Sequence, residues 1–284
     1  MRQLLPQGTL WDRIVDTTSR ALYEGALHPI PTRSETVEEA GVSFLVRVLT
    51  GRPRKDEASA REGNPFLPHD EALFVGELTD THICLLNKYN VVEHHLLAVT
   101  KQFEDQEEYL TVADFAALLA GLAEYDCLAF YNGGVTAGAS QPHKHLQFVP
   151  LPLVPTGPSV PLDPLVAAGR LPFRHSVDFT VPRWIRAPLS SARSACECYH
   201  RMLREAGMEE AGAPRSVRQS GPYNLLVTRS WMLLVPRSRE YAAGSSVNAL
   251  GFAGALLVRD EGQLRELRET GVLAALASVA FPKG

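Results

Sequence analysis

One short polar stretch, residues 132–150, constrains the fold of this chain more than any other. Three glycines among its first seven residues predict a loop, and the alternation that begins at His143 predicts a strand. Side chains two residues apart in a strand point to the same face, so His143, His145 and Gln147 are expected to share one side. Burying two imidazoles and an amide on one strand face costs free energy unless each polar group is hydrogen-bonded, so this pattern is not typical of a packed core. The stretch is therefore predicted to be a functional site.

The chemistry that suits this stretch is group transfer at phosphorus. A glycine-rich turn lets backbone N–H groups approach phosphate oxygens, and Ser140 and Gln141 add neutral donors. An imidazole beside the loop can attack phosphorus and form a phosphoramidate, and His145 is the predicted nucleophile. Gln147 can donate a hydrogen bond but cannot supply a proton, which favours a weakly basic leaving group such as a nucleotide polyphosphate. His143 is expected to orient the site by hydrogen bonding.

The run GASQPHKHLQ at residues 138–147 resembles the active-site segment of a known family. These are the diadenosine tetraphosphate phosphorylases, or ATP adenylyltransferases, of the histidine-triad superfamily branch in which glutamine replaces the last histidine. Further stretches resemble the same family in the same order. They are Asn64-Pro65-Phe66, Leu85-Leu86-Asn87-Lys88-Tyr89, Tyr131-Asn132, Tyr223-Asn224-Leu225-Leu226, Trp231-Met232 and Asn248-Ala249-Leu250-Gly251-Phe252-Ala253-Gly254.

The resemblance implies phosphorolysis of diadenosine tetraphosphate to ATP and ADP, with the adenylyl group carried on the residue that matches the family's histidine, His145. The implied ligand contacts are Asn87, Lys88, Asn132, Gly138, Ala139, Ser140, Gln141, Gln147, Asn248, Ala249, Leu250 and Arg259. Ala255 matches another contact, where the family tends to have methionine. A basic residue before Asn64 is also implied, and Lys55 is the choice made here, with Arg52 as the alternative.

The expected fold is α+β, with a histidine-triad-like antiparallel sheet flanked by helices and built from two related halves. The first half, residues 1–158, would carry the site, and the second, residues 159–284, would complete the nucleotide site. Helical spacing predicts helices over residues 9–27, 112–125, 190–206 and 272–281. Runs of apolar and β-branched residues predict strands over residues 41–50, 81–87, 95–100, 127–131, 223–228 and 231–236. The strands over residues 81–87 and 95–100 are predicted to form one hairpin, and those over residues 223–228 and 231–236 a second. The similar plan of the two hairpins indicates either a diverged internal duplication or two unrelated hairpins of a common type.

Composition limits the partners. The net charge of −4, from 28 basic and 32 acidic residues, offers no broad basic field for a nucleic acid. The four cysteines suggest neither a zinc ribbon nor a disulfide framework, and no apolar run approaches the ~18 residues of a membrane span. We expect a cytoplasmic protein that binds a small nucleotide and inorganic phosphate, and neither a nucleic acid nor a membrane. No covalently bound cofactor is expected, while Mg²⁺ with the polyphosphate remains open, as does the oligomeric state.

Other interpretations remain open from sequence. His143 and His145 could be zinc ligands if His82, His94 or His95 supplied a third, although no metal site is the preferred prediction. The chain could be a dinucleoside polyphosphate hydrolase or a sugar-phosphate nucleotidylyltransferase of the same superfamily; the latter typically has His-Pro-His where this chain has His-Lys-His. A nucleotide-binding sensor without catalytic activity is the alternative outside enzymes.

Overall fold

A computed structural model describes residues 3–51, 63–209 and 217–283. The helices are α1 (Leu10–Tyr23), α2 (Val112–Glu124), α3 (Asp163–Ala167), α4 (Val181–Trp184), α5 (Pro188–Glu205), α6 (Glu261–Thr270) and α7 (Val272–Val279). The strands are β1 (Thr32–Glu39), β2 (Val42–Leu49), β3 (Phe74–Glu77), β4 (His82–Leu86), β5 (Leu96–Thr100), β6 (Cys127–Gly133), β7 (His145–Pro150), β8 (Ser176–Asp178), β9 (Tyr223–Val227), β10 (Met232–Pro236), β11 (Tyr241–Ala242), β12 (Ser245–Ser246) and β13 (Ala255–Val258). Short 3₁₀ turns cover Glu71–Leu73, Val135–Ala137 and Ala249–Ala253.

An eight-stranded sheet forms the centre, in the order β3-β4-β5-β7-β6-β9-β10-β8. Every pair in it is antiparallel, including the predicted hairpins β4–β5 and β9–β10. A smaller sheet has the order β1-β2-β13, with β13 parallel to β2. The predicted α+β class with a large antiparallel sheet is therefore confirmed.

The two faces of the central sheet are covered differently. One face packs against α1, α2 and α5, where Leu146 and Phe148 of β7 join a core with Phe115 and Tyr199. The other face packs against the small sheet and the C-terminal helices, where Val149 joins Phe44. Because the side chains of β7 alternate, its odd-numbered residues point away from the helices. Gln147 and Val149 lie between the two sheets, whereas the ring of His145 packs against Phe66.

Helix α2 shows how local sequence fixes an element behind the site. The Thr111 hydroxyl accepts from the backbone N–H of Asp114, and Asp114 accepts from the backbone N–H of Thr111, which completes a capping box. Apolar residues of α2, such as Phe115 and Leu118, then face the sheet at helical spacing. The cap predicted at Thr111 is thus present.

The chain's two parts share their sheets. Strand β6 pairs with β9, so the central sheet continues from the first predicted half into the second. Strand β13, from the C-terminal part, pairs with β2 near the N-terminus. The boundary near residue 158 and the internal duplication stay predictions.

Several features differ from the sequence expectation. Strand β7 begins at His145, two residues later than predicted, while His143 lies in an isolated bridge opposite Asp105. Strand β1 was not predicted, because four of the eight residues in its sequence TRSETVEE are charged and none of the eight is buried. Helix α6 and strand β13 were also missed, since each is short and depends on partners distant in sequence.

Candidate functional site

The predicted site strand lies in the middle of the central sheet. Strand β7 is held on one edge by β5, where His145 lies opposite Val99, and on the other by β6, where Gln147 lies opposite Phe130. Residues on a doubly paired strand have little freedom to shift, so the site is built on a rigid element.

His145 is held as a neutral imidazole with one nitrogen free. Its Nδ1 lies 2.8 Å from the carbonyl oxygen of His143, so Nδ1 carries the proton and donates it. Nε2 has no hydrogen-bond partner among the described residues, and the side chain is 4% exposed. Burial lowers the pKa of His145 to about 4. The residue therefore presents an unprotonated Nε2 at neutral pH.

His143 has both nitrogens engaged. Its Nε2 lies 2.9 Å and 3.1 Å from the carbonyl oxygens of Thr100 and Gln102, so Nε2–H is the donor. Its Nδ1 then accepts from the side-chain amide of Asn64 at 2.8 Å. Burial lowers the pKa of this imidazole too. His143 consequently has no free nitrogen for attack, and its carbonyl orients His145.

Gln147 presents a free amide nitrogen. Its Oε1 lies 3.1 Å from Nε2 of His95, whereas its Nε2 has no hydrogen-bond partner among the described residues. The side chain is 8% exposed, and it lines a cavity between the two sheets. Two N–H donors are thus available to a ligand.

The glycine loop before the strand is shaped by internal hydrogen bonds. The backbone N–H groups of Gly134, Ala137, Gly138 and Ala139 all donate within the loop. Ser140 shows no hydrogen bond to the rest of the described chain, and neither does Gln141. The sequence analysis expected the glycine N–H groups to approach phosphate, with Ser140 and Gln141 adding donors. The N–H groups of Gly134 and Gly138 are engaged within the loop, so the donors left for an anion include those of Ser140 and Gln141.

Gly138 is required by its conformation and its neighbour. Its φ is +89°, and an added Cβ would lie 2.7 Å from Cβ of Asn248. A side chain here would be strained and would push the Asn248 segment away. Gly138 thereby lets two predicted contact segments approach each other.

A buried polar network joins these segments. Oδ1 of Asn132 accepts from the Asn224 amide at 2.8 Å and from the backbone N–H of Ala249 at 3.0 Å. Arg237, which is 1% exposed, donates to Oδ1 of Asn224 at 2.6 Å and to the carbonyl of Val247 at 2.8 Å. Burial lowers the pKa of Arg237 to about 10. The sequence analysis overlooked Arg237, and only its place directly after a strand of apolar residues hinted at it.

The cavity between the two sheets has a volume of about 440 Å³, within the usual range for small-molecule sites. Eight of the predicted ligand contacts line it: Asn87, Asn132, Gly138, Ser140, Gln147, Asn248, Leu250 and Arg259. Ala255, where the family tends to have methionine, also lines it. The structure therefore brings most of the predicted set to one cavity.

The remaining predicted contacts lie beside the cavity and not on its lining. Nζ of Lys88 lies 3.2 Å from a carboxylate oxygen of Asp70. Ala139 is buried, Gln141 is half-buried, and Ala249 uses its N–H to bind Asn132. Lys55 and its alternative Arg52 lie outside the described residues.

Arg47 lines the cavity although the sequence analysis did not name it, and His95 was named there only as a possible zinc ligand. Arg47 interrupts an apolar strand and shares the cavity side of β2 with Leu45 and Leu49. Burial lowers its pKa, and it forms no ion pair within the described parts of the chain. His95 lines the cavity as well. The sequence signal for Arg47 was a single cationic residue within a run of β-branched residues. Burying such a cation is costly unless it pairs with an anion.

The three imidazoles considered as a third zinc ligand are occupied elsewhere. His82 binds Asp114 at 3.1 Å, His94 lies 3.0 Å from the Thr18 hydroxyl, and His95 binds Gln147. Over residues 3–51, 63–209 and 217–283, no group of three metal-binding side chains is present.

In the same ranges no helix has the length and apolar character to cross a membrane. The cytoplasmic location stays a prediction.

Comparison with known proteins agrees with the site. A family model described as the Ap4A phosphorylase N-terminal domain matches residues 1–168, and one described as the ATP adenylyltransferase C-terminal domain matches residues 169–282. The chain is 27% identical to diadenosine 5′,5‴-P1,P4-tetraphosphate phosphorylase 2 of Saccharomyces cerevisiae, over 87% of this chain and 85% of the relative.

Solved structures match the whole chain. A crystal structure of yeast Ap4A phosphorylase Apa2 superposes with a TM-score of 0.78 at 25% identity, covering 100% of this chain and 97% of the other. The same yeast protein in complex with Ap4A gives a TM-score of 0.76 at 24% identity and covers both chains fully. The predictions of a histidine-triad-like fold and of a nucleotidyltransferase are confirmed. The chain therefore belongs to the family of Ap4A phosphorylases and ATP adenylyltransferases.

Proposed function

We propose that this nucleotidyltransferase phosphorolyses diadenosine tetraphosphate to ATP and ADP, with His145 as the nucleophile. Nε2 of His145 attacks the phosphorus next to one adenosine, ATP leaves, and the adenylyl group stays on the imidazole as a phosphoramidate. Inorganic phosphate then attacks the same phosphorus, which frees the imidazole and forms ADP. Atoms balance because each step exchanges one bond to phosphorus for another.

The observation that carries this proposal is the state of His145. A neutral imidazole whose Nδ1–H is held by the His143 carbonyl and whose Nε2 has no hydrogen-bond partner among the described residues is prepared for attack. His143, in contrast, uses Nε2 toward two carbonyls and Nδ1 toward Asn64. Of the four imidazole nitrogens of His143 and His145, Nε2 of His145 is therefore the one available for attack.

The surrounding donors suit a polyphosphate chain. The Gln147 amide can bind a nonbridging oxygen at the attacked phosphorus, where negative charge develops. Arg47 and Arg259 line the same cavity and would neutralise the phosphates that leave with ATP. Ser140, which lines the cavity, and Gln141, which lies beside it, add neutral donors.

The acceptor is tested by product analysis. The protein is incubated with diadenosine tetraphosphate and Mg²⁺, with and without inorganic phosphate, and a parallel series contains EDTA. ATP and ADP in equal amounts are expected only when phosphate is supplied. Production of ATP and AMP in phosphate-free buffer at the same rate would identify water as the acceptor and would place the protein among the hydrolases.

The intermediate is tested by mass spectrometry. Enzyme mixed with diadenosine tetraphosphate in the absence of phosphate should gain one adenylyl mass that is lost in acid. The mass should map to the peptide containing His145 and should be absent from His145→Ala. An adduct on His143 would show that the other imidazole is the nucleophile, and binding without any adduct in the wild type would indicate a sensor.

A further inference from the structure

We propose that His95 is a positioning residue that fixes the orientation of the Gln147 amide, so that both of its N–H donors face the reacting phosphate. The inference rests on the proposed function, because it concerns how Gln147 acts in that reaction. His95 itself is not expected to touch the reacting atoms.

The geometry consists of a chain of three side chains along the cavity wall. The Asn87 amide nitrogen lies 3.2 Å from Nδ1 of His95, and Nε2 of His95 lies 3.1 Å from Oε1 of Gln147. Asn87 and His95 are also joined through the backbone, where the N–H of Asn87 donates to the His95 carbonyl at 2.9 Å. All three residues line the cavity.

The direction of these hydrogen bonds follows from the donors available. An amide nitrogen can only donate, so Nδ1 of His95 accepts from Asn87 and must be unprotonated. The single ring proton then lies on Nε2, and it is donated to Oε1 of Gln147. Because His95 is buried, its pKa is lowered to about 4, and the ring keeps this neutral form at physiological pH.

The orientation matters because an amide has two different ends. If Gln147 turned about its last bond, Oε1 would face the anionic phosphate and repel it, and the N–H donors would face Nε2 of His95. The backbone alone does not prevent this turn, since the amide torsion of glutamine is broad. The Nε2–H donor of His95 favours one orientation, and the Asn87 amide favours the tautomer of His95 that supplies it.

Two substitutions separate positioning from packing. In His95→Gln the new amide nitrogen can occupy the position of Nε2 and still donate to Gln147. In His95→Asn the new amide is too short to reach Gln147, but it can occupy the position of Nδ1 beside Asn87. We expect the rate of adenylyl-enzyme formation to fall less than about fivefold in His95→Gln and on the order of 30- to 100-fold in His95→Asn. AMP binding should change by less than about threefold in both.

A double-mutant cycle with Gln147→Ala provides the sharper test. If His95 acts through Gln147, His95→Asn should add less than about threefold to the loss in the Gln147→Ala background. A full additional 30-fold loss there, or equal losses in His95→Gln and His95→Asn, would overturn the proposal. Both outcomes presuppose an active wild type; a wild type that forms no adenylyl-enzyme would instead contradict the proposed function.

The tautomer can be measured without relying on any variant's activity. In ¹⁵N spectra of the wild-type protein at pH 6.5, His95 should appear as the neutral Nε2–H form and His145 as the neutral Nδ1–H form. The His95 resonance is identified by its absence from His95→Gln. A His95 that is Nδ1–H or doubly protonated at this pH would overturn the proposal, even if His95→Asn did not fold.

Discussion

The two faces of the segment 143–148 differ in how they treat charge. One face carries His143, His145 and Gln147, and we call it the cavity face because Gln147 lines the cavity. No carboxylate hydrogen-bonds to these three side chains within the described parts of the chain. The helix face begins with Lys144, whose Nζ lies 2.7 Å from Glu104 and 3.6 Å from Asp114. Adjacent residues of one segment thus lie in opposite electrostatic surroundings.

The helix face forms a structural ion cluster. Burial by itself would raise the pKa of Asp114, but the hydrogen bond from His82 and the charge of Lys144 hold it below its ordinary value. Burial would likewise lower the pKa of Lys144, and the carboxylates around it raise that pKa instead. The charges compensate one another, and Asp114 also caps α2.

The cavity face follows the opposite rule, since in the proposed function it meets an anion. A carboxylate beside His145 would raise the pKa of the imidazole and repel a polyphosphate. Neutral donors and acceptors avoid both effects. We therefore propose that the cavity face serves catalysis and the helix face serves stability, and the following predictions test this assignment.

The largest effect is expected from His145→Ala. Removing the nucleophile should lower turnover by at least about 10⁴-fold, while AMP binding and the free energy of unfolding change little. His143→Ala, which keeps the free Nε2 of His145, serves as the matched control and should lose far less. Substantial turnover in His145→Ala, measured by release of ATP, would contradict the assignment of the cavity face.

Gln147→Glu should introduce a negative charge on the cavity face and so remove the electrostatic difference between the two faces. One oxygen of the new carboxylate can accept from His95, and the other faces the cavity, where its charge repels phosphate. We expect a loss on the order of 10³-fold in adenylyl-enzyme formation, compared with about 100-fold in Gln147→Ala. Equal rates for the two variants in rapid-quench measurements would show that the cavity face tolerates negative charge.

Lys144→Met should affect stability and spare the chemistry. The change leaves Asp114 buried with one partner fewer, which costs about 3 kcal/mol of unfolding free energy. Urea unfolding measures this loss, and His145→Ala should cost less than about 1 kcal/mol in the same assay. A Lys144→Met protein with wild-type stability but no activity would reverse the assignment of the two faces.

The smallest effect concerns pH. His145 has a folded-state pKa of about 4, below its ordinary 6.5, so the neutral nucleophile persists as pH falls through 6.5. Adenylyl-enzyme formation should therefore change less than about twofold between pH 7.5 and 5.5 and fall only toward pH 4. Because the unfolded chain binds the proton near pH 6.5, the free energy of unfolding should decrease over the same descent. An acid limb near pH 6.5 would show that His145 titrates normally.

The sequence by itself determined the local features of this protein. Alternation from His143 assigned three polar side chains to one face, helical spacing located α1, α2 and α5, and Thr111 marked the start of α2. The motif at residues 138–147 was sufficient to recognise the family. Each of these signals is carried by residues close together in the chain, which is why they could be recognised before the fold was known.

Only the tertiary structure decided which residues complete the site. Arg47 meets the cavity because β2 lies between β1 and β13, and Arg237 joins two loops whose sequence positions are about a hundred residues apart. The tautomers of His143 and His95 depend on carbonyl and amide groups supplied by neighbouring strands and loops. Periodicity in the sequence predicts which way a side chain points. Its burial and hydrogen-bond partners depend on chain segments that only folding brings together, and this burial and these partners set the charge and reactivity of the site.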